Sequence, residues 1–120
     1  MKLVITTTGQ TLDAPMDRRF GRAEGFLVYD LETEVYTVID NHQNFQAAQG
    51  AGIQAAQHVV NCGARAVITG HCGPKAFRVL SAAKVAIYNC EAATVADAID
   101  QYKSGHLKPA QSADVEGHWI

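Results

Sequence analysis

The stretch ITGHCGPKAF, residues 68–77, joins an apolar strand pattern directly to a helical pattern. Pro74 suits the first position of a helix, where its fixed φ is helical and its missing N–H costs nothing. The glycines around the histidine–cysteine pair supply the backbone freedom that a tight corner needs. The stretch therefore predicts a strand, a sharp corner and a helix, which is the repeating unit of α/β folds.

The same alternation extends in both directions along the chain. Ile53, Ala56 and Val59 have helical spacing and Gly63 ends that helix, whereas Thr94 and Gly105 bound a third helix. The inner face of the helix that starts at the corner is expected to carry Ala76, Phe77, Leu80 and Ala83. The predicted strands, with a tight turn at Glu32-Thr33 between the second and third, are residues 2–8, 24–31, 34–40, 65–69 and 85–88.

This order, β-β-β-α-β-α-β-α, predicts an antiparallel meander followed by right-handed crossovers between parallel strands. We expect an α/β fold with three layers and a five-stranded mixed sheet of ribonuclease H-like topology, in strand order 3-2-1-4-5. Residues 1–105 form one predicted domain, and residues 106–120 form a polar C-terminal tail.

The composition argues against several classes of function. The 120 residues are 48% hydrophobic and 18% charged, with a formal net charge of −2, so no broad basic field favours nucleic acid. The first residues lack the apolar run of a signal peptide or membrane span, and we expect a cytoplasmic protein with no membrane association. Its three cysteines are an odd number, and reduced thiols are expected.

The predicted strand order reverses between the first and fourth strands, and ligands of open α/β sheets bind at the carboxyl ends of strands at such a point. The expected site is a crevice between the loop after the first strand and three later segments. Cys62 falls at the opposite edge of the sheet and is not expected to take part. The candidate cofactor-binding residues are Arg19, Arg22, Gly50, Ala51, Gly52, Ile53, Gly70, His71, Cys72, Gly73, Pro74, Lys75, Asn89 and Cys90.

The chemistry predicted for this crevice is anion binding. The helix that starts at Pro74 presents unbonded N–H groups and a positive dipole end, which also acidify a nearby thiol such as Cys72. Each signal has a plainer interpretation: the corner is only a tight turn, Cys90 only fills the core, and the arginines pair with Asp13 and Asp17.

Catalytic and standard metal motifs are missing from the sequence. Zinc-type C-x-x-C or H-x-x-x-H spacing does not occur, and "GAGIQAAQ" is neither a P-loop nor a dinucleotide fingerprint. The first strand carries Thr6-Thr7-Thr8, where a ribonuclease H-type nuclease needs magnesium-binding carboxylates. We predict a protein that is not an enzyme; a thiol-dependent enzyme using Cys72 is the weaker alternative.

Four phrases in order resemble the dinitrogenase iron–molybdenum cofactor-binding family, which includes NifX-like and NafY-like domains. The phrases are FGRAEGF (20–26), QGAGIQAAQ (49–57), TGHCGPKAF (69–77) and YKSGHLKP (102–109). The resemblance is strongest to family members of the orange-protein type, which hold a molybdenum–copper sulfide cluster without a covalent bond. It implies carriage or storage of such a cluster.

The resemblance also bears on ligands and partners. A thiomolybdate–copper cluster is an anion with soft sulfur, and Cys72 and His71 are the predicted metal contacts to its copper. The alternatives are a chaperone for the iron–molybdenum cofactor or its precursors, and a cofactor-free module that docks a protein partner through residues 41–50. We expect a monomer.

Overall fold

The structure is a computed structural model that describes residues 1–41 and 51–110 of the chain. Within them the order is three strands followed by three helices that alternate with two more strands. The elements are β1 (Lys2–Thr7), β2 (Gly25–Asp30), β3 (Tyr36–Asp40), α1 (Ala51–Asn61), β4 (Ala64–Thr69), α2 (Pro74–Ala82), β5 (Ala86–Asn89) and α3 (Val95–Lys103).

The five strands form one mixed sheet in the order β3-β2-β1-β4-β5, which confirms the predicted α/β class and strand order. β1 pairs antiparallel with β2 and parallel with β4, and the β4–β5 pair is also parallel. Neighbouring β-branched and apolar residues on these central strands are fully buried, as expected for strands covered on both faces. The strand order places the reversal at the β1–β4 pair.

The β2–β3 connection differs from the predicted two-residue turn. β2 ends at Asp30 and β3 begins at Tyr36, and the intervening loop contains Glu34 at φ 62°. The Asp30 carboxylate accepts the backbone N–H groups of Glu32 and Thr33 at 2.8 and 3.2 Å. This side-chain bonding holds a longer loop that the alternation of apolar residues could not distinguish from a tight turn.

Two apolar layers cover the two faces of the sheet. On the first face α1 and α2 pack over Val4, Phe26 and Val67, and on the second face α3 packs over Leu3, Ile5 and Ile68. Of the predicted inner residues of α2, Ala76 and Leu80 are buried, but Phe77 is only half-buried and Ala83 is exposed. α2 ends at Ala82, one residue before Ala83 could complete the stripe.

The two ends of the parallel strands define two edges that are used below. The carboxyl edge is where β1, β4 and β5 end, and the amino edge is where they begin. The helices α1 and α2 begin near the carboxyl edge, because each returns antiparallel to the strands. α3 also begins there: the backbone of Pro15, in the loop after β1, bridges Thr94, whose hydroxyl caps α3 by accepting the Asp97 N–H at 3.1 Å.

Residues at the beginning of the predicted tail lie against the sheet. Pro109 bridges Tyr88 of β5, and the Ala110 N–H donates to the Ile87 carbonyl at 2.7 Å. Leu107 packs on the α3 side of the core, and Ala110 packs on the α1–α2 side. This segment therefore covers the outer side of β5.

Candidate functional site

A short segment of the loop after β1 lies in the predicted crevice. Arg18 O accepts the His71 N–H at 2.7 Å, and His71 O accepts the Phe20 N–H at 3.2 Å. These two bonds form a small parallel bridge between Arg19 and His71. Residues 18–21, called the bridging segment below, are thereby held against the corner that follows β4.

Two glycines allow this close packing. A Cβ on Gly70 would lie 2.8 Å from both the Cβ and the carbonyl oxygen of Arg18. A Cβ on Gly21 would lie 3.0 Å from the backbone N and Cα of Gly52, in the first turn of α1. The bridging segment thus touches the corner before α2 on one side and the start of α1 on the other.

Buried polar groups hold the chain on both sides of the bridging segment. The Thr6 hydroxyl donates to the Asp17 carbonyl and lies 3.0 Å from the Thr69 hydroxyl, so the carboxyl ends of β1 and β4 hold the chain before the bridging segment. The side chain of Asn41, which is fully buried, donates to the carbonyl of Ala23 at 2.8 Å. These bonds satisfy groups that would be costly to bury unpaired, and they define one geometry for the loop.

Positive charge lies on the solvent side of this arrangement. Arg19 has a side chain that is 46% exposed, and its Nε lies 3.6 Å from the carboxylate of buried Asp17. Arg22 is half-buried and Lys75, in the first turn of α2, is exposed. The predicted pairing of arginine with Asp17 is therefore present for Arg19, and the same arginine still reaches solvent.

The N-terminus of α2 contributes backbone donors. Its N-cap residue, Gly73, supplies no side-chain hydrogen bond, and Pro74 occupies the first turn as predicted. The Phe77 N–H bonds back to Gly73 O at 2.9 Å, so the N–H groups of Lys75 and Ala76 are those that a helix leaves without an intrahelical partner. They add the positive end of the helix dipole to the carboxyl edge.

The two candidate thiols are buried on opposite faces of the sheet. Cys72 is 1% exposed and packs in the α1–α2 layer, with its Sγ 3.7 Å from Gly73 O. Cys90 is 5% exposed and packs in the α3 layer. The two thiols therefore do not line one crevice. Continued alternation would place both on one face, since Thr69 pairs with Asn89, so the corner after β4 departs from the strand path and turns Cys72 into the other layer.

Burial also changes the acidity of one thiol. Desolvation raises the pKa of Cys90 above its ordinary value, and the nearby Asp97 carboxylate adds to the rise. Its Sγ lies 3.5 Å from the Gln101 side-chain oxygen. Cys90 is therefore held as a neutral thiol in the core, which matches the plainer of its two interpretations.

The remaining predicted site residues lie at different places in the fold. Asn89 donates to Gly70 O at 3.1 Å and so ties the end of β5 to the corner, while His71 is half-buried next to Arg19. Ala51, Gly52 and Ile53 lie in the first turn of α1, and Gly50 lies outside the described residues. Cys62 lies at the amino edge, where its carbonyl accepts from Lys2 Nζ at 3.3 Å.

The sequence interpretation missed Gly21 and Asn41, which fix the bridging segment. Gly21 is part of the phrase FGRAEGF, but its contact is with Gly52, a residue distant in sequence. Asn41 is a single amide after a strand, a pattern that is common in ordinary loops. Only spatial proximity could have identified either residue.

A groove of about 670 Å³ lies elsewhere, beside β3. Glu24 and Asp40 both line it, and two carboxylates make it unsuitable for an anion. Within residues 1–41 and 51–110, no three His, Cys, Asp or Glu side chains are grouped to hold a metal ion. None of the helices in this part of the chain is long and apolar enough to span a membrane.

Two solved structures share this topology. The chain is 36% identical to the apo form of the orange protein from Desulfovibrio gigas, with a TM-score of 0.92, covering 95% of this chain and 96% of that one. It is 34% identical to a Thermotoga protein of the DUF35 family solved by NMR, with a TM-score of 0.84 and coverage of 97% and 98%.

Sequence comparisons point the same way. A protein of unassigned function from Methanocaldococcus jannaschii is 27% identical over 92 residues, which are 74% of this chain and 77% of that protein. Residues 1–105 match the family described as dinitrogenase iron-molybdenum cofactor. The fold, the four sequence phrases and this match over most of the chain agree: the protein belongs to the dinitrogenase iron-molybdenum cofactor family.

Proposed function

We propose that this protein carries or stores an anionic molybdenum–copper sulfide cluster, bound without a covalent bond at the carboxyl edge of the sheet. The observation that carries the proposal is the 36% identity and 0.92 TM-score to the orange protein over nearly the whole chain. The molybdenum–copper cluster itself is what the sequence resemblance implies. Binding rather than catalysis is the role expected of this family.

The charge at the carboxyl edge supports an anionic cargo. Arg19 and Arg22 lie on either side of Phe20 and Gly21, and Lys75 follows the N-terminus of α2. Exposed cations and backbone N–H groups at a helix start are the groups that hold compact anions. We therefore place the cargo over the bridging segment, against the starts of α1 and α2.

The burial of the two thiols supports a cluster that is held by charge and shape and not by cysteine ligands. Cys72 is 1% exposed in the α1–α2 layer, and Cys90 lies in the other layer with its pKa raised by burial. A thiolate is the form that binds copper, and the raised pKa of Cys90 disfavours that form there. Direct contact of Cys72 or His71 with copper stays a prediction, and the cysteine variants below test it for Cys72.

The experiment is reconstitution of the apo-protein with tetrathiomolybdate and copper, followed by desalting, metal analysis and a visible spectrum. We expect molybdenum and copper to co-elute with the protein in a fixed ratio, and retention to fall as ionic strength rises, because salt screens exposed charges. Colourless, metal-free protein would contradict the proposal. The iron–molybdenum cofactor or a precursor would then become the better candidate cargo.

Variants separate the two ways of holding the cluster. We expect the double variant Arg19→Gln/Arg22→Gln to lose most of the retained metal. The matched control is Arg65→Gln/Arg78→Gln, which removes the same charge from two exposed arginines, at the start of β4 and on α2. Equal loss in both pairs would mean that overall charge, and not the carboxyl edge, retains the cluster.

A second pair tests the thiols. Cys72→Ala should keep the cluster in every molecule that remains folded, and Cys62→Ala is the control at the amino edge. Loss of copper from folded Cys72→Ala, with retention in the control, would overturn holding by charge and shape and establish a thiolate contact. Circular dichroism of each variant separates folding from binding.

A partner protein that delivers or receives the cargo is part of this proposal. Residues 41–50 are the predicted docking segment of the alternative, cofactor-free module, and of these only Asn41 lies within the described residues. Asn41 is buried and bonded to the chain just after the bridging segment. Any partner bound next to Asn41 would therefore be close to the carboxyl edge.

A further inference from the structure

One carboxylate in the loop after β1 is buried beside the bridging segment. The side chain of Asp17 is only 6% exposed, whereas Asp13, in the same loop, is exposed. Acidic side chains are rarely buried unless they are paired, since removing a charge from water is costly. A buried negative charge is also unexpected at the edge where we place an anion, so the contacts of Asp17 indicate what it does there.

The backbone of Asp17 is fixed to the end of β1. Its N–H donates to Thr6 O at 2.9 Å, and its carbonyl accepts the Thr6 hydroxyl. Thr6 is itself fully buried in the sheet. The position of the Asp17 carboxylate is therefore set by the central strands and not by the surface of the loop.

Both the backbone and the side chain of Arg19 contact this carboxylate. Asp17 Oδ1 accepts the Arg19 N–H at 3.0 Å, and the same oxygen lies 3.6 Å from Arg19 Nε. Because the guanidinium is planar and rigid, a contact at Nε orients the whole group. The ion pair therefore holds Arg19 on the protein side, while its side chain remains 46% exposed.

Two bonds to the corner after β4 fix the backbone on either side of Arg19. The His71 N–H donates to Arg18 O at 2.7 Å, and the Phe20 N–H donates to His71 O at 3.2 Å. The Phe20 side chain is fully buried and anchors the segment in the core. Arg19 is thus held at its backbone by the corner and at its guanidinium by Asp17.

We infer that Asp17 is a positioning residue, which orders the Arg19 guanidinium for the anionic cargo at the carboxyl edge. This inference rests on the proposed function and assigns a role to a residue outside the predicted site. Immobilising a long side chain when a ligand binds lowers affinity by roughly threefold to tenfold. Asp17 imposes that order when the protein folds, so the anion does not have to impose it.

The charge of Asp17 acts on affinity in the opposite direction. A carboxylate repels an anion, so removal of the charge alone would strengthen binding. The net effect of Asp17 is the sum of the two contributions, and only the positioning contribution depends on Arg19. A double-mutant cycle between the two residues isolates the contribution that depends on Arg19.

The test is equilibrium dialysis of tetrathiomolybdate alone with the native chain, Asp17→Asn, Arg19→Gln and the double variant. Asparagine keeps an oxygen that accepts the Arg19 N–H, so the backbone of the loop is retained. We expect the ratio by which Asp17→Asn changes the Kd to be at least about threefold larger in the native background than in the Arg19→Gln background. Equal ratios would mean that Asp17 acts only through its charge or through folding, and would overturn the inference.

Asp13→Asn is the matched control, because it removes the same charge from an exposed position of the same loop. Its two ratios, in the native and Arg19→Gln backgrounds, should agree within about twofold, as expected for residues that do not interact. A coupling of Asp13 to Arg19 as large as that of Asp17 would contradict a specific role of Asp17.

NMR tests the position of Arg19 without any ligand. We expect the heteronuclear NOE of Arg19 Nε to be high in the native protein, since this signal reports the order of the guanidinium on the ps–ns timescale. In Asp17→Asn it should fall to the value of Arg78, an exposed arginine on α2. An unchanged NOE in Asp17→Asn would overturn the inference.

Failure of the proposed function gives a different result from failure of this inference. If the native chain retains no tetrathiomolybdate, the proposed cargo site is wrong and the role of Asp17 in binding is wrong with it. Native retention with equal ratios in the two backgrounds overturns the role of Asp17 alone and leaves the proposed function intact.

Discussion

The carboxyl and amino edges of the sheet both contain glycines, but for different physical reasons. At the amino edge Gly63 and Gly105 adopt φ of 82° and 75°, and a Cβ on either would meet nothing within 4 Å. At the carboxyl edge Gly21 and Gly70 have no such φ, and a Cβ would lie within 3.0 Å of neighbouring backbone. Glycine is needed at the amino edge because the backbone adopts a positive φ there, and at the carboxyl edge because a side chain would not fit.

This difference shows where the molecule has been packed tightly. The amino edge turns the chain, and it tolerates non-glycine residues at positive φ, as Glu34 and Lys84 show at 62°. The carboxyl edge brings three separate segments into backbone contact, through Gly70 with Arg18 and Gly21 with Gly52. Close contact of distant backbone segments is a feature of the edge at which we place the cargo.

The largest effect is expected from Gly70→Ala. The new Cβ would lie 2.8 Å from Arg18 O, and fixed backbone cannot give way as a flexible side chain would. We expect a loss of about 3 kcal/mol in the free energy of unfolding, at the upper end for overpacking. Urea unfolding monitored by circular dichroism measures it.

Gly105→Ala is the matched control for this prediction. It introduces the same methyl group in open space at φ 75°, so its cost is only that of a left-handed conformation, about 1 kcal/mol. Equal losses in the two variants would show that close packing is not what requires glycine at position 70.

An intermediate effect is expected from pH acting at Cys90. Its folded pKa is raised by burial, so above the ordinary value of 9.0 the unfolded thiol releases a proton that the native thiol retains. The native state then binds more protons, and stability falls as pH rises through this range. The measurement is the urea midpoint at intervals between about pH 8 and pH 10, where an unperturbed thiol titrates.

Cys90→Ser should flatten this alkaline decline, because the hydroxyl does not titrate there. Cys62→Ser, at the amino edge, controls for the loss of a thiol from the chain. An unchanged slope in Cys90→Ser would assign the decline to another group; burial also raises the pKa of Tyr102.

The smallest effect, a gain, is expected at the amino edge from Lys84→Gly. Lys84 is exposed at φ 62°, a conformation that costs an L-residue about 1 kcal/mol and glycine almost nothing. Part of that gain is offset by the greater freedom of glycine in the unfolded chain, so we expect a net gain of about 0.5 kcal/mol. The measurement is the thermal midpoint together with the urea midpoint.

Gly63→Ala supplies the opposite change at the same edge and should cost about 1 kcal/mol, since it adds the left-handed strain that Lys84→Gly removes. A loss of stability in Lys84→Gly would show that the aliphatic part of the lysine side chain contributes more than its backbone conformation costs.

The elements and their order followed from the sequence because they depend on local patterns. The strand of residues 64–69, the proline at the start of α2 and the cap at Thr94 each carry a signal within a few residues. The strand order followed as well, because few topologies satisfy right-handed crossovers after a meander. The prediction of a two-residue turn between β2 and β3 was wrong, since the length of this loop depends on how the Asp30 side chain bonds to the backbone.

The candidate site was predicted only in part. The sequence predicted that His71 and the loop after β1 would meet, and the Arg19–His71 bridge joins them. It did not predict that Cys72 and Cys90 would be separated by the sheet, each in its own apolar layer. The face on which a side chain lies past the end of a strand depends on the path of the backbone there.

By itself, the sequence determined the family, the α/β class, the strand order and a glycine-rich corner before a helix. The patterns that indicate these features are formed by residues that are near one another in the chain. Only the tertiary structure decided which glycines are required, which thiols are buried and which outer strand Pro109 and Ala110 cover. Those properties depend on contacts such as Gly21 with Gly52 and Ala110 with Ile87, between residues that are far apart in the chain.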